Sequence, residues 1–167
     1  MAANNIVLIG MPGVGKSTVG VILAKVLGYQ FVDTDLVIQQ QEGQLLHEII
    51  AKKGTDAFLE IENRVIASLE VTDSVIATGG SAVYGKDAMR HLGEIGRIIY
   101  LAEEYPVLEK RLEDISGRGV VLREGQDLHD LYLERTPLYE KYADVRISES
   151  GLDVEHTVEE IVKIQNL

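Results

Sequence analysis

Five short aliphatic runs punctuate the chain: NIVLIG at Asn5–Gly10, FVD at 31–33, SVIAT at 74–78, RIIYL at 97–101 and DVRIS at 144–148. None alternates cleanly between apolar and polar positions, and each is read as a strand buried on both faces of a sheet. The segments between them carry helical periodicity. Over 16–27, Val19, Leu23, Val26 and Leu27 share one stripe. Residues 45–53 close on Gly54, a suitable residue just past a helix end. Further helices are expected near 56–69, 86–92, 104–114, 127–142 and 155–165. Strand and helix in alternation predict an α/β fold in three layers, a parallel sheet with helices on both faces.

The first junction carries the strongest chemistry. Gly10-Met-Pro-Gly-Val-Gly15-Lys16-Ser17 fits G-x-x-x-x-G-K-[ST] at every position, between an expected strand and an expected helix. Glycines let backbone N–H groups curl round phosphate oxygens, and the helix start turns its positive dipole end toward them. Lys16 is placed to reach β- and γ-phosphates, and the Ser17 hydroxyl to ligate Mg²⁺. A plain glycine-rich turn is the weaker alternative.

Composition narrows the possibilities. The 167 residues make one domain, 1–167, with 46% hydrophobic and 26% charged residues. No apolar run approaches the roughly 20 residues of a membrane span. The start MAANN has no basic region, so no secretory signal is expected. With no cysteine there are no disulfides, zinc thiolates or thiol nucleophiles, which fits a cytoplasmic setting. A net charge of −11 repels nucleic acid and anionic lipid, so neither is expected as a partner. A small anionic ligand must then rely on a few well-placed cations. Nothing suggests an oligomerisation segment, and a monomer is expected.

No N/T-K-x-D motif is present, which argues against a GTPase. DISG at Asp114–Gly117 follows a helical stretch rather than a strand. Neither SVIAT nor RIIYL ends in the aspartate usual for a motor ATPase. Instead FVDTDLV (Phe31–Val37) ends its strand on two aspartates that project to one side. One carboxylate suits Mg²⁺ held through water, and the other suits an acceptor hydroxyl whose proton it takes. Either also suits the N-cap of the next helix.

These motifs, in order, resemble the shikimate kinase family of small P-loop enzymes: GMPGVGKSTVG, DTD (33–35), FLEIE (58–62), TGGS (78–81), RG (118–119) and RTPLY (135–139). The resemblance runs over nearly the whole chain. It implies a five-stranded parallel sheet, a small substrate-binding segment at about 34–62 and a mobile lid at about 114–126. It implies ATP held by Gly13, Val14, Gly15, Lys16, Ser17, Thr18, Arg111 and Arg118, with Arg111 stacked on adenine. It assigns Mg²⁺ to Ser17 and Asp33. It assigns the acceptor, a small hydroxylated carboxylate, to Asp35, Gly79, Gly80 and Arg135. Catalysis would rest on Lys16, Asp35 and the lid residue Arg118.

Three positions depart from the family pattern. Leu59 stands where the family has an arginine that helps bind the substrate carboxylate. Arg64 lies five residues on, about 140° round the helix, and faces elsewhere. Ser81 replaces a third glycine. Gly119 follows Arg118 where proline is usual, which leaves Arg123 as a competing lid arginine. The expected activity is ATP- and Mg²⁺-dependent phosphorylation of shikimate to shikimate 3-phosphate. The alternatives are a paralogue acting on another hydroxy compound and a non-catalytic ATP-binding regulator. Pro137 is expected to break or kink the helix that carries Arg135. Tyr132, Tyr139 and Tyr142 read as packing, and the scattered His47, His91, His129 and His156 as surface or cap residues.

Overall fold

The computed structural model describes residues 4–113 and 123–166. Most of the expected lid, with Arg118 and Gly119, lies outside the described residues. The chain begins β1 (Asn5–Ile9), α1 (Lys16–Leu27), β2 (Gln30–Asp33), α2 (Thr34–Glu42), α3 (Leu46–Lys53), α4 (Thr55–Ala67) and β3 (Ser74–Ala77). A 3-10 turn (Ala82–Tyr84), α5 (Lys86–Ile95), β4 (Gly96–Ala102), α6 (Tyr105–Glu113), α7 (Leu128–Tyr142), β5 (Val145–Ser148) and α8 (Val154–Gln165) follow.

All five strands are parallel, in the order β2-β3-β1-β4-β5. Right-handed crossovers then fix the layers. α1 and α8 touch each other beside the sheet, while α5 packs on β4 with α4 against it. The three inner strands are apolar and buried, as continuous aliphatic runs should be. β2 and β5 differ from the expectation of burial on both faces, because the strand order puts them at the edges. All residues of both except Ile147 are half-buried or exposed.

Two further points depart from the sequence reading. A helix, α2, begins directly at the end of β2, and no apolar stripe announces it: only Thr34 and Ile38 are buried. α7 is not broken at Pro137 but continues to Tyr142. The carbonyl that a residue 137 N–H would have served belongs to Leu133, an exposed residue, so water can take its place.

The segment 34–62 has an apolar centre of its own. Ile38 of α2, Ile49 of α3 and Phe58 of α4 are buried together with Val65, and Leu59 and Ile61 pack against them. This cluster holds three short helices over the end of β2.

At the opposite end of the sheet, one side chain joins three segments. Asn5 donates through Nδ2 to the carbonyls of Val71 (2.8 Å) and Ile95 (3.0 Å) and accepts at Oδ1 from the Ser74 N–H (3.0 Å). It is buried, so its loss leaves polar backbone groups without partners. Asn5→Ala should cost about 2–4 kcal/mol of folding stability by urea denaturation. Because Asn5 lies at the far end of β1 from the glycine-rich loop, activity at low temperature should be preserved.

Candidate active site

The C-terminal ends of β1, β2 and β3 open onto one cleft of about 910 Å³. Its floor is the loop from Gly10 to Ser17. Gly15, with φ 102°, is the N-cap of α1, and Gly13 has φ 83°. Both values favour glycine and bend the loop so that its N–H groups line the start of α1. Lys16 is buried, and its Nζ donates to the carbonyls of Gly10 (2.6 Å) and Met11 (2.8 Å). The ammonium thus lies inside the loop it serves. Val14 packs in the core below, while Ser17 and Thr18 face the cleft.

The two aspartates have distinct settings. Asp33 caps α2, its Oδ1 accepting from the Asp35 N–H at 2.9 Å. Its Oδ2 accepts from the Ser17 hydroxyl at 3.3 Å. Cap and loop contact are therefore one residue's two oxygens, not rival readings. Asp35 leans over Gly79 so closely that a Cβ there would meet its Oδ1 at 2.6 Å and Glu62 Oε2 at 3.1 Å. Thr34, buried between them, accepts from the Gly79 N–H at 3.3 Å.

Gly80 is hemmed in on the other side. A Cβ there would lie 2.7 Å from Pro12 Cδ and 2.8 Å from Arg135 Nη1. Arg135 is 1% exposed, donates from Nε to the Tyr84 hydroxyl at 3.3 Å and lies over that ring. A cation so deep in an acidic protein is not a solvated surface charge. Tyr139 packs on Tyr100, and its hydroxyl donates to the Gly80 carbonyl at 2.6 Å. The tyrosine is core packing, as expected, and it also fixes the backbone that faces the cleft.

The sheet order divides the cleft. Asp33, Asp35, Gly79, Gly80 and Arg135 gather on the β2–β3 side of the loop. On the β4–β5 side are Arg111, Glu149, Leu152, Asp153 and Val154. Arg111 donates to the Gly13 carbonyl at 3.2 Å and lies 3.8 Å from Glu103 Oε2. Burial pushes the Glu149 carboxyl above its ordinary range, and its bond from Thr157 opposes that. Sequence reasoning missed this β4–β5 wall, apart from Arg111, and also Gln39, Leu45, Leu46 and His47 along the rim. These residues carry no motif; only their place at strand and helix ends brings them in.

The departures also find their places. Arg64 pairs with Glu42 at 2.9 Å, away from the cleft. Arg123 pairs with Asp56 at 3.1 Å on the surface. Ser81 lines the cleft and its hydroxyl meets Glu62 Oε1 at 2.6 Å. Glu62 is buried, and its Oε2 has no hydrogen-bond partner among the described residues.

A phosphate loop on the central strand and a polar recess beside it, on a sheet of order 2-3-1-4-5, define an ATP-dependent small-molecule kinase of the P-loop class. A family model for shikimate kinase matches residues 12–165, and the chain belongs to that family. The chain is 39% identical to the shikimate kinase of Thermodesulfovibrio yellowstonii over 162 residues, 95% of this chain and 93% of the relative. It is 40% identical to that of Gloeobacter violaceus over 150 residues, 87% and 83% of the two chains. The structure of shikimate kinase from Acinetobacter baumannii in complex with shikimate superposes with a TM-score of 0.87. That match is at 30% identity and covers 98% of this chain and 93% of the other. No helix among the described residues is long and apolar enough to cross a membrane.

The crowding at Gly80 sets a test. Gly80→Ala must displace Pro12 or Arg135, and a small misplacement at a reacting centre is costly. We expect kcat/KM for the acceptor to fall about tenfold to hundredfold at saturating ATP, with the circular-dichroism spectrum unchanged. A loss below twofold would mean that the recess is not where the acceptor binds.

Proposed function

We propose that the protein transfers the terminal phosphoryl group of ATP to a ring hydroxyl of shikimate, giving shikimate 3-phosphate and ADP. The observation that carries this is the juxtaposition, in one cleft, of the Lys16 loop with Asp35, two close-packed glycines and the buried Arg135. In this reading ATP lies with its phosphates on residues 13–18 and its base toward Arg111 on the β4–β5 side. The acceptor occupies the β2–β3 side, its carboxylate on Arg135 and its hydroxyls on Asp35. Family membership supports the substrate, as does the close match to an enzyme holding shikimate.

Ser17 Oγ and Asp33 Oδ2, 3.3 Å apart, are the hard oxygen donors that suit Mg²⁺. Among the described residues no group of three His, Cys, Asp or Glu side chains could hold a metal by itself. That fits an ion bound mainly by nucleotide phosphates and water, with one or two protein oxygens. Held by Ser17 and Asp33, Mg²⁺ would supply neutralisation of the nucleotide's phosphate charge.

The chain's own residues then position and neutralise. Lys16 turns from the loop carbonyls to the phosphates as they arrive. Asp35 orients the acceptor oxygen in line with the γ-phosphorus and takes its proton as the new P–O bond forms. The bond to the ADP oxygen breaks, and the developing charge falls on Lys16 and on Arg118 of the lid. Arg123, paired with Asp56, is a poorer candidate for that last role.

ADP release measured by coupled assay should be stimulated by shikimate. Lys16→Ala should lower kcat by several hundredfold or more with the fold intact, a loss on the scale of removing one preorganised charge donor. A near-wild-type rate would sink the assignment of the phosphate loop. A further expectation concerns Leu59. One charge-assisted hydrogen bond contributes about 1.5–3 kcal/mol. Leu59→Arg should therefore lower the KM for shikimate at pH 8 by roughly tenfold to a hundredfold. An unchanged or higher KM would show that position 59 does not face the substrate carboxylate in this chain.

A further inference from the structure

With Leu59 in place of an arginine, the acceptor recess faces a substrate carboxylate with Arg135 as its deep cation. On α4, position 59 lies three residues before Glu62, so an arginine there would also have been a helix neighbour of that carboxylate. Here Glu62 is buried without such a neighbour, and it is bonded through Oε1 to Ser81. Ser81 lines the cleft and directly follows Gly80, which lies against the Arg135 guanidinium.

An O···O separation of 2.6 Å fits donation in either direction. If Glu62 is ionised, Ser81 must donate to it, and the serine presents only lone pairs to the recess. Those would repel a carboxylate. If Glu62 is protonated, it can donate to Ser81 Oγ and free the serine proton to point outward.

We propose that the Ser81–Glu62 pair stands in for the second arginine. Glu62 takes up one proton from solvent as the substrate carboxylate binds, and the Ser81 hydroxyl turns to donate to that carboxylate beside Arg135. This rests on the assignment of the recess to a carboxylate-bearing acceptor. Ser81 then becomes a substrate contact, and Glu62 a positioning residue that sets its polarity.

The surroundings favour the exchange. Burial pushes the Glu62 carboxyl up to about 7; the Ser81 bond opposes this, Asp35 of α2 adds to it and Arg135 of α7 opposes it. Several charged groups of the other packed helices bond elsewhere. Glu48 of α3 bonds the Leu45 N–H, Lys53 pairs with Glu42, and Asp87 of α5 meets Asn63 and Arg90. Glu62 is thus divided between its two forms near neutrality, and an arriving anion raises its proton affinity further.

The sign of the pH effect follows. Below about pH 7 Glu62 holds its proton before the substrate arrives, so KM should be at its lowest there. Above it, binding must draw a proton from solvent, and KM climbs toward tenfold per pH unit. kcat at saturating shikimate should change little, since Glu62 does not touch the reacting atoms.

The experiment is steady-state kinetics at saturating MgATP from pH 6.5 to 8.5, with titration calorimetry of shikimate in buffers of different ionisation enthalpy. The wild type should show the KM rise and uptake of up to one proton on binding. Glu62→Gln keeps a donor toward Ser81 and cannot ionise, so its KM should be flat and its proton uptake zero. Ser81→Gly should raise KM at pH 6.5 and weaken the pH dependence. A wild-type KM that varies less than twofold, or binding without proton uptake, overturns the proposal alone. So does a pH dependence that survives in Glu62→Gln, which would place the titrating group elsewhere. No turnover of shikimate at any of these pH values overturns the substrate assignment, and this proposal with it.

Discussion

The parallel register of β1 with both β3 and β4 is the constraint on which the site depends. It aligns the C-terminal ends of three neighbouring strands, so the loops that leave them meet at one level. The phosphate loop leaves the central strand. Gly79 and Gly80 leave β3 directly beside it, and β2 delivers Asp33 and Asp35 one strand further out. The approach is so close that Gly80 has no room for a side chain against Pro12 and Arg135. A slip of one residue would turn every side chain to the opposite face and scatter this set.

That closeness resolves an electrostatic difficulty. A chain of net charge −11 repels ATP and an anionic acceptor at long range. Salt screens those surface charges beyond about 8–10 Å, but it screens buried groups far less. The working cations are accordingly deep. Lys16 is 7% exposed and Arg135 1%. Each is held by oxygen or aromatic partners that fix its direction, so both cations act on the cleft with little screening from solvent.

The sequence made the fold legible because its signals were local and redundant. All five aliphatic runs became strands, and the G-x-x-x-x-G-K-[ST] spacing marked the first turn without reference to tertiary structure. α2 was announced only by its cap at Asp33, since a nine-residue helix with two buried positions has almost no periodicity to detect. Edge exposure of β2 and β5 was likewise invisible, because it follows from strand order and not from the runs themselves. Within the site, Asp33, Asp35, Gly79, Gly80 and Arg135 could be found because each sits in a short recognisable string. Glu149, Leu152 and Val154 could not, because a lining position made by a strand end and the next helix start has no residue type of its own. The Ser81–Glu62 bond lay between the two cases. Both residues drew attention separately, but nothing in a separation of nineteen positions said that they would touch.

Leu59 shows why losing a charge in this recess need not be a simple loss. An arginine at that position would have to leave the apolar cluster of Ile38, Ile49 and Phe58 or bury its stem against it. Leucine instead adds to the cluster that holds α2 and α4 together. Asp35, which must be positioned over Gly79, rides on α2. Packing at 59 thus bears on the helix that carries Asp35 over Gly79. Without a cation at 59, Glu62 keeps the Ser81 hydroxyl as its bonded partner, with Arg135 opposing the shift, and burial is what brings its carboxyl up to about 7. The leucine that joins the apolar cluster of 34–62 leaves the recess to the Ser81–Glu62 pair for which we propose a pH-dependent role.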